Sequence, residues 1–482
     1  MRTTAEAEFL EQARWHFLPG EEGRLGAFYR ELLANEFRAP AELEELLNWR
    51  LAAVVGRAAA MVPFYAECFA RLGLAPADVS AIGDLPRLPV LTKSELLLQG
   101  TNMLAKSLPA GESIYGWFSS SGTTGKPAKV LYTVGANLMF TLLAQRQYRW
   151  YRFDPMARFA SIRLSSQLPL RTDRSLLPNG ETLEMNRWRY AGTVFHTGPY
   201  LCFNVENPVE EQLRWIEDCK PDYLQSYSES LEHLALACEG NWRGTSVQKL
   251  TAISEQLTPS MKALIEATLG APVVQSYGLN EAGLVAVRCE AGSYHWHVEH
   301  CVVEVVDAQG RPCRGGEVGR LLVTTLSNPA MPLLRYDTGD MAETVVGPCP
   351  CGRTLPAFGN ITGRYSRIAW LPEGSLQMAG VLRGALESIP SEFCRPLRQF
   401  QIHQFRDGSF ELRVVAVSPL RQEFEAHLRA AWATLPGADA APLRIIRVDS
   451  IPRGPGGKFQ DFSSDFMPAM DTGEQAESPS SV

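Results

Sequence analysis

The sequence predicts an α/β fold with a large N-terminal domain and a small C-terminal domain. Between about Tyr115 and Asp340, short β-rich runs such as "AKVLY", "APVVQSY" and "GRLLVTTL" alternate with helix-like stretches such as "PVEEQLRWIEDCK" and "LTPSMKALIEATLG". Such alternation is typical of β-sheets with flanking helices. After "NITGRYSRI" the pattern changes to a hairpin, a helix and a strand, which predicts a separate, small α+β lid domain.

Each region of the chain supports this division. In residues 1–110 apolar side chains recur at steps of three and four residues, which predicts a mainly helical N-terminal part. The lid hairpin lies in "QFQIHQFRDGSFELRVVAV" and turns at Asp407 and Gly408, a helix follows from about Arg421, and "LRIIRV" is the next strand. We assign residues 1–364 to the large domain, 365–466 to the lid domain and 467–482 to a disordered tail, because the tail is polar and poor in aromatic residues.

Composition excludes several classes of function. The 482 residues, 45% of them hydrophobic, are enough for two or more domains with substantial cores. With 53 acidic against 46 basic residues the net charge is -7, so neither nucleic acid nor an anionic membrane surface is an expected partner. No apolar run reaches the roughly 20 residues that span a bilayer, and the N-terminal segment lacks the apolar core of a signal peptide. We expect a cytoplasmic protein.

One basic segment leaves an alternative open. "QRQYRWYR" clusters Arg146, Arg149 and Arg152 with aromatic residues. This pattern fits one solvated helix face as well as a nucleic-acid contact. The acidic total charge favours the solvated face.

The stretch "WFSSSGTTGKPAKV", Trp117–Val130, concentrates glycines and hydroxyls. Glycine permits unusual backbone angles, and exposed amides with Ser and Thr hydroxyls can surround phosphate oxygens. It is not a Walker loop, because Pro127 follows Lys126 and Ser120 occupies the position of the first glycine. Taken alone, the segment fits a flexible hairpin turn equally well.

Four further unusual segments follow this loop in order. They are "QSYGLNEAG" with Tyr277, Gly278 and Glu281, "RYDTGD" with Asp340, "ITGRYSRI" with Arg364, and "PRGPGGKF" with Lys458. Together the five motifs resemble the adenylate-forming superfamily of acyl-CoA synthetases, peptide synthetase adenylation domains and luciferases. "AAAMVPFYAECFARLGL", "DLPRLPVLTKSEL", "KPDYLQSYSESLEHLA" and "AISEQLTPSMKALIEATLG" resemble its phenylacetate-CoA ligase branch. The resemblance covers nearly the whole chain up to the tail.

The resemblance implies activation of a carboxylic acid by ATP, in which charge neutralisation and alignment are the main tasks. The phosphate loop that surrounds the β- and γ-phosphates comprises Ser120, Ser121, Gly122, Thr123, Thr124, Gly125 and Lys126. Glu281 matches the acid that holds Mg²⁺, a hard ion suited to oxygen ligands; the alternative is an exposed glutamate at a strand end. Asp340 matches the carboxylate that binds both ribose hydroxyls, and Arg364 matches the arginine of the hinge motif.

Lys458 matches the lid-domain lysine that reaches the α-phosphate and the substrate carboxylate, with a solvated loop lysine as the alternative. The other implied nucleotide-site residues are Ser254, Glu255, Gln256, Ser276, Tyr277 and Gly278. The implied acyl-pocket residues are Tyr227, Ser228 and Gln275. Several of these residues would serve equally well as strand caps or turn residues.

A second group of residues is suited to a metal. Ten cysteines do not make a disulfide scaffold in a chain of this length. "CEAGSYHWH" supplies Cys289 and His295, and "GPCPCGRT" supplies Cys349 and Cys351, a nitrogen and sulfur set suited to tetrahedral structural zinc. Some members of the resembled branch hold zinc between these segments. His297 and His300 compete as ligands, but the resemblance favours His295. Unbound buried thiols are the alternative.

Departures from the family pattern affect the expected second step. Ser366 stands where the hinge commonly has Asp, and the surroundings of Gly374 differ from those of the loop that admits the pantetheine thiol in relatives. Asn280 replaces a usual Thr but can still form a hydrogen bond.

These residues lead to one favoured function and two alternatives. We expect an ATP- and Mg²⁺-dependent ligase that makes an acyl-AMP, favoured from a small aromatic acid, and passes the acyl group to CoA or to carrier-protein phosphopantetheine. The alternatives are an amide synthetase with an amine acceptor and a nucleotide-binding scaffold that has lost turnover.

Overall fold

The computed structural model describes residues 15–119, 127–238, 242–244, 246–254, 257–364, 368–370, 376–378, 385–386, 389–390, 393, 397–435, 441–452 and 462–465. The described residues up to Arg364 form one compact unit, and those from residue 368 onward belong to a second, smaller one. Both units combine helix and sheet. The predicted α/β class is therefore confirmed.

The α-helices are α1 (Glu21–Asn35), α2 (Pro40–Met61), α3 (Pro63–Leu72), α4 (Lys93–Gln99), α5 (Val134–Trp150), α6 (Val209–Cys219), α7 (Ser228–Ala237), α8 (Pro259–Leu269) and α9 (Gln422–Ala433). Short 3₁₀ helices lie at Pro76–Asp78, Ile82–Arg87, Gly100–Met103, Ser165–Gln167 and Ala191–Thr193. Prolines begin α2, α3 and α8, where the missing amide hydrogen costs no helical bond. Helix α2 buries Leu43, Leu47 and Leu51, which share one helical face because they are four residues apart.

The strands are β1 (Ile114–Ser119), β2 (Lys129–Thr133), β3 (Phe159–Arg163), β4 (Leu183–Met185), β5 (Tyr200–Asn204), β6 (Tyr223–Tyr227), β7 (Lys249–Ile253), β8 (Val273–Leu279), β9 (Gly283–Arg288), β10 (Tyr294–Trp296), β11 (Cys301–Val306), β12 (Val318–Thr325), β13 (Tyr336–Thr344), β14 (Ala357–Arg364), β15 (Ile368–Trp370), β16 (Leu376–Met378), β17 (Leu397–Gln404), β18 (Phe410–Ala416), β19 (Leu443–Arg447) and β20 (Phe462–Ser464). The strands and helices predicted from "AKVLY", "APVVQSY", "GRLLVTTL", "PVEEQLRWIEDCK" and "LTPSMKALIEATLG" are confirmed as β2, β8, β12, α6 and α8.

The large unit contains a twelve-stranded sheet in the order β11-β12-β13-β14-β10-β9-β8-β7-β6-β3-β5-β4. Strands β3, β5, β6, β7 and β8 run parallel to one another. Every residue of β5 and β6 is buried, as expected for parallel strands that are covered on both faces. From β8 onward the pairing is antiparallel. Strand β8 therefore joins the parallel and antiparallel halves of the sheet.

The smaller unit contains a four-stranded sheet in the order β19-β18-β17-β20. Its hairpin turns at Asp407 and Gly408, where Gly408 adopts φ 84°, a left-handed conformation that glycine accepts without strain. Helix α9 buries Phe424, Leu428 and Trp432. The predicted hairpin, helix and following strand are confirmed.

The basic segment of α5 corrects one interpretation. Arg146 is 0% exposed and Arg149 is 6% exposed, so the solvated-face interpretation is wrong for both. Arg146 pairs with Glu299 at 2.8 Å, and Arg149 pairs with Glu36 at 2.9 Å. Both carboxylates come from distant parts of the chain, and they allow the guanidinium groups to be buried. Arg152 is exposed.

No single helix in the described part of the chain has the length and apolarity needed to cross a membrane. Helices α2 and α3, bent by 100° at their junction, pass that test only as a pair and by length and composition alone.

Candidate active site

The carboxyl ends of the parallel strands define the candidate site. Because β3, β5, β6, β7 and β8 run in the same direction, their last residues lie along one edge of the sheet. Ligands of open α/β sheets bind at this edge. Tyr227 ends β6, Ser254 directly follows β7, and Tyr277 lies near the end of β8. The fold thus brings three sequence-predicted residues to the same edge.

Ser254 has an unusual backbone conformation. Its φ of 67° lies in the left-handed region, which costs a residue other than glycine about 1–3 kcal/mol and is concentrated at functional sites. Tyr227 and Ser228 are buried at the start of α7. The Tyr227 hydroxyl donates a hydrogen bond to Gln167 Oε1 at 2.8 Å. This contact fixes the position of the Tyr227 side chain at the end of β6.

Strand β8 presents residues to both of its neighbours. Ser276 lies opposite Val287 on β9. The Gln275 side-chain oxygen accepts a hydrogen bond from Arg288 Nη1 at 2.8 Å, so this side chain is held against β9. At Gly278 an added Cβ would lie 2.9 Å from the carbonyl oxygen of Gly283. Only glycine permits the backbone approach at that position.

Two of the predicted nucleotide-site residues bind each other. The Tyr277 hydroxyl donates a hydrogen bond to Asp340 Oδ2 at 2.7 Å. Both residues are buried, and Asp340 lies opposite Arg364 in the pairing of β13 with β14. A carboxylate fixed in this way can accept further hydrogen bonds from a pair of hydroxyl groups.

Glu281 lies just beyond β8 and is 8% exposed. Its Oε1 accepts a hydrogen bond from the Tyr336 hydroxyl at 3.3 Å. Burial, and next the charge of Glu281, raise the pKa of the Tyr132 phenol. A buried carboxylate oriented by the Tyr336 hydroxyl is suited to bind Mg²⁺.

The loop around Glu281 also holds the start of the glycine-hydroxyl segment. Asn280 Nδ2 donates a hydrogen bond to the carbonyl oxygen of Ser119 at 2.6 Å. Ser119 is the last residue before that segment and lies opposite Lys129 in the β1–β2 hairpin. The substitution of Asn for the usual Thr thus retains a hydrogen bond. It fixes the residue that precedes the predicted phosphate loop next to the predicted magnesium ligand.

Several predicted residues lie outside the part of the chain that the structure describes. They are Ser120, Ser121, Gly122, Thr123, Thr124, Gly125, Lys126, Glu255, Gln256, Ser366, Gly374 and Lys458. For Arg364 the structure describes the backbone alone. The roles assigned to these residues remain predictions.

The predicted zinc ligands come together in the antiparallel half of the sheet. The ligand atoms of Cys289, His295, Cys349 and Cys351 all lie within 4.8 Å of one another. The Sγ atoms of Cys289 and Cys349 are 3.6 Å apart, and Cys351 Sγ is 3.3 Å from His295 Nε2. Tetrahedral zinc with bonds of about 2.3 Å to sulfur separates its ligands by about 3.8 Å. The spacing therefore fits the ion and far exceeds a disulfide bond.

The His295 ring is oriented for this role. Its Nδ1 donates to the carbonyl oxygen of Leu355 at 2.6 Å, which leaves Nε2 free to face the thiols. Burial lowers the pKa of His295, and burial raises the pKa of Cys289 to about 12. A neutral imidazole is a ready ligand, whereas the Cys289 thiol needs a nearby cation to become a thiolate.

The two competing histidines lie elsewhere. His297 Nδ1 is 3.0 Å from Arg146 Nη1. His300 contacts Ser327 Oγ at 2.6 Å and the carbonyl oxygen of Ala282 at 2.5 Å. Neither belongs to the described four-residue cluster.

Comparison with known proteins places this geometry in a family. A family model of AMP-binding enzymes matches residues 89–328. The phenylacetate-coenzyme A ligase of Thermus thermophilus is 29% identical over 408 residues, 79% of this chain and 83% of that protein. The Escherichia coli phenylacetate-coenzyme A ligase is 28% identical over 333 residues, 67% of this chain and 71% of that protein. Residues 89–328 of the chain belong to the family of AMP-binding enzymes.

The resemblance drawn from the motifs is thus confirmed, and the protein is an adenylate-forming ligase. Its fold agrees with that of 2-hydroxyisobutyryl-CoA ligase bound to 2-HIB-AMP. That structure matches with a TM-score of 0.70 at 18% identity and covers 89% of this chain and 91% of its own.

Sequence reasoning missed several residues that support this ligase's site. Tyr336 and Tyr132 flank Glu281, yet neither carries chemistry by itself. Tyr336 directly precedes the "DTGD" turn. This position next to a motif is the sequence feature that could have identified Tyr336 as a site residue. Arg163 and Gln167 near Tyr227 gave no signal, because their proximity depends on the pairing of β3 with β6.

Proposed function

We propose that the protein joins a small aromatic acid to the thiol of CoA in two steps through an acyl-AMP. The observation that carries this proposal is the arrangement around β8. Glu281, the Tyr277–Asp340 pair and the anchored base of the phosphate loop occur together there. The relatives from Thermus thermophilus and Escherichia coli, both phenylacetate-coenzyme A ligases, support the choice of an aromatic acid and of CoA.

In the first step a carboxylate oxygen of the acid forms a bond to the α-phosphorus of ATP. The bond from the α-phosphorus to the bridging oxygen breaks, and pyrophosphate leaves. Asp340, held by Tyr277, accepts hydrogen bonds from the ribose hydroxyls and fixes the nucleotide. The phosphate loop binds the β- and γ-phosphates, and Lys458 contributes positive charge at the α-phosphate. A positive charge at that position is worth several kcal/mol when water is excluded.

In the second step the CoA sulfur forms a bond to the acyl carbon of the adenylate. The bond between that carbon and the phosphate oxygen breaks, AMP leaves, and the thiol proton passes to solvent. Glu281 would hold Mg²⁺, which when bound would offset negative charge on the phosphates. Cys289, His295, Cys349 and Cys351 fit a zinc ion with no open position, which supports a structural role.

The proposal is tested by a screen of acids for pyrophosphate release, with the acyl-AMP identified by mass. Adenylate formation with aromatic acids, followed by AMP release on addition of CoA, is the expected result. AMP release with amines or a carrier protein but not with CoA would show that CoA is not the acceptor. Tight ATP binding without pyrophosphate release, across aromatic, aliphatic and amino acids, would favour the scaffold alternative.

A further inference from the structure

Two arginines lie beside the predicted acyl pocket and have no role in the chemistry described above. Arg163 is the last residue of β3, and Arg189 precedes the 3₁₀ helix Ala191–Thr193. Because β3 is parallel to β6, Arg163 reaches the carboxyl edge of the sheet together with Tyr227. We call Arg163 and Arg189 the arginine pair.

Both arginines contact the same residue. Arg163 Nη2 donates to Gln167 Oε1 at 2.9 Å, and Arg189 Nη1 donates to the backbone carbonyl of Gln167. Tyr227 donates to the same Oε1 at 2.8 Å. Gln167 therefore joins the arginine pair to a predicted acyl-pocket residue.

The arginine pair lacks a counter-charge within the described chain. No ion pair between described residues includes Arg163 or Arg189, and Arg163 Nε is buried without a hydrogen-bond partner. Other arginines that are strongly buried each have a carboxylate partner. Their pairs are Arg146–Glu299 at 2.8 Å, Arg149–Glu36 at 2.9 Å, Arg335–Glu304 at 3.1 Å and Arg353–Glu290 at 3.0 Å. Arg163 and Arg189 are both partly buried and have no carboxylate partner of this kind among the described residues, whereas charges removed from water are ordinarily paired.

The neighbouring groups do not supply the missing charge. Tyr200, Tyr148 and Cys202 lie close enough for the arginine pair to act on them electrostatically. Burial nevertheless raises the pKa of the Tyr200 and Tyr148 phenols above the ordinary 10.0 and that of the Cys202 thiol to about 12. All three are neutral at physiological pH. The environment is positive, rich in phenols and partly open to solvent.

We propose that the arginine pair binds a second acidic group on the acid substrate, distal to the carboxylate that is activated. The inference rests on the proposed function and narrows its substrate to acids that carry two negative charges. Arg163 and Arg189 present several N–H donors, and guanidinium groups match the geometry of a second carboxylate. An acid without a second charged group would leave these N–H donors unpaired. A polar site rejects an analogue that lacks the recognised group in this way.

The test compares kcat/KM for pyrophosphate release, without CoA, on matched acids. 4-Carboxyphenylacetate is paired with 4-methylphenylacetate, and glutarate is paired with pentanoate. The wild type is expected to prefer the doubly charged acid by about 100-fold or more. Arg163→Gln and Arg189→Gln are each expected to reduce that preference by about 10- to 100-fold, and Arg163→Lys is expected to retain more of it.

Arg158→Gln is the matched control. Arg158 directly precedes β3 at the opposite sheet edge and donates to the carbonyl of Cys219 at 2.6 Å. It is expected to leave the preference unchanged.

The outcomes separate the two proposals. If no acid of either kind supports pyrophosphate release, the proposed function fails. If the singly charged acids are activated with the same kcat/KM as the doubly charged acids, the proposed function stands and the arginine inference is overturned. Arg163→Gln and Arg189→Gln could instead lower kcat/KM equally for both acids of a pair and leave the preference unchanged. That result would overturn the inference and show that the arginines only support Gln167.

Discussion

Asp340 and Glu281 differ from ordinary surface acids in that tyrosines hold both of them in buried positions. Asp340 accepts from Tyr277 at 2.7 Å, and Glu281 accepts from Tyr336 at 3.3 Å. Because each phenol is fixed, each carboxylate is oriented before a ligand arrives. Such preorganisation reduces the cost of binding and is the main way that this kind of site stabilises charge.

Asp340→Asn is predicted to weaken nucleotide binding. The change preserves shape but removes a charged acceptor, and hydrogen bonds to charged groups contribute about 1.5–3 kcal/mol. We expect the KM for ATP to rise by about 10- to 150-fold. Tyr277→Phe leaves the carboxylate in place and should raise the KM for ATP only about 5-fold. A larger effect from Tyr277→Phe than from Asp340→Asn would contradict this order of importance.

Glu281→Gln is predicted to impair adenylate formation through magnesium. Loss of one charged ligand is expected to lower kcat by about 100-fold or more, with partial recovery as Mg²⁺ is raised. Tyr336→Phe, which removes only the supporting hydrogen bond, should weaken the apparent Mg²⁺ affinity by about 10-fold. Titration of the rate with Mg²⁺ measures both. If Glu281→Gln had the same rate as wild type at low, rate-limiting Mg²⁺, Glu281 would not be the magnesium ligand.

Individual acids were predictable from the sequence, but their partners were not. Asp340 and Glu281 stand in short segments whose composition is unusual by itself. Asn280 and Ser119 are separated by 161 positions, and Tyr277 and Asp340 by 63. Only the tertiary fold brings them together, because β1 belongs to a separate two-stranded sheet and β8 does not pair with β13. No local pattern encodes that proximity.

At the scale of elements, the antiparallel strands β9, β10 and β14 form the frame of the cysteine–histidine cluster. Cys289 follows β9, His295 lies within β10, and Cys349 and Cys351 lie in the connection from β13 to β14. Strand β10 pairs with both β9 and β14. A zinc ion at this cluster would cross-link three strands and stabilise this part of the sheet.

Cys351→Ser is predicted to remove zinc and to destabilise the protein. We expect about one zinc per chain in wild-type protein purified without chelator, markedly less in the variant, and a Tm lower by about 5 °C or more. Cys313→Ser, a change at a partly buried cysteine outside the cluster, should retain zinc. Metal analysis and thermal unfolding are the measurements, and zinc-free wild type with an unchanged Tm would refute the site.

The buried ion pairs of α5 connect distant elements. Glu299, in the connection from β10 to β11, accepts from Arg146 on α5 and from Asn35 at the end of α1 at 2.7 Å. The sequence showed a basic, aromatic segment, but not the acids that neutralise it. The solvated-face interpretation failed for Arg146 and Arg149 because periodicity within one helix cannot identify counter-charges from other elements.

Glu299→Gln is predicted to lower the free energy of unfolding by about 3–5 kcal/mol at pH 7, since it leaves Arg146 buried without its charge partner. Burial alone would raise the pKa of Glu299, but the charge and hydrogen bonds of Arg146 hold it below the ordinary 4.5. The ionised carboxylate therefore stabilises the fold fully above pH 4.5. This contribution is lost as pH falls through the lower folded pKa.

The difference between wild type and Glu299→Gln should shrink in acid. Denaturant unfolding at several pH values measures it, with the exposed Glu45→Gln as control. A difference that grows below pH 4.5 would contradict the assignment of the stabilising charge.

At the scale of the whole molecule, the order of elements and the division near Arg364 follow from hydrophobic periodicity and turn residues. The sheet order does not follow from them. Strand β8 ends the parallel half and begins the antiparallel half. This change of direction brings the two chemically distinct parts of the chain, the candidate active-site edge and the cysteine–histidine cluster, into one sheet.

The central claim is that this sheet edge converts an acid and ATP into an acyl-AMP. The most direct measurement incubates wild-type protein with ATP, Mg²⁺ and single acids, and identifies the product by mass together with released pyrophosphate. We predict acid-dependent formation of an adenylate in equal amount to pyrophosphate, and its near absence in Glu281→Gln. Pyrophosphate release that is independent of any acid, or ATP binding without an adenylate, would contradict the account.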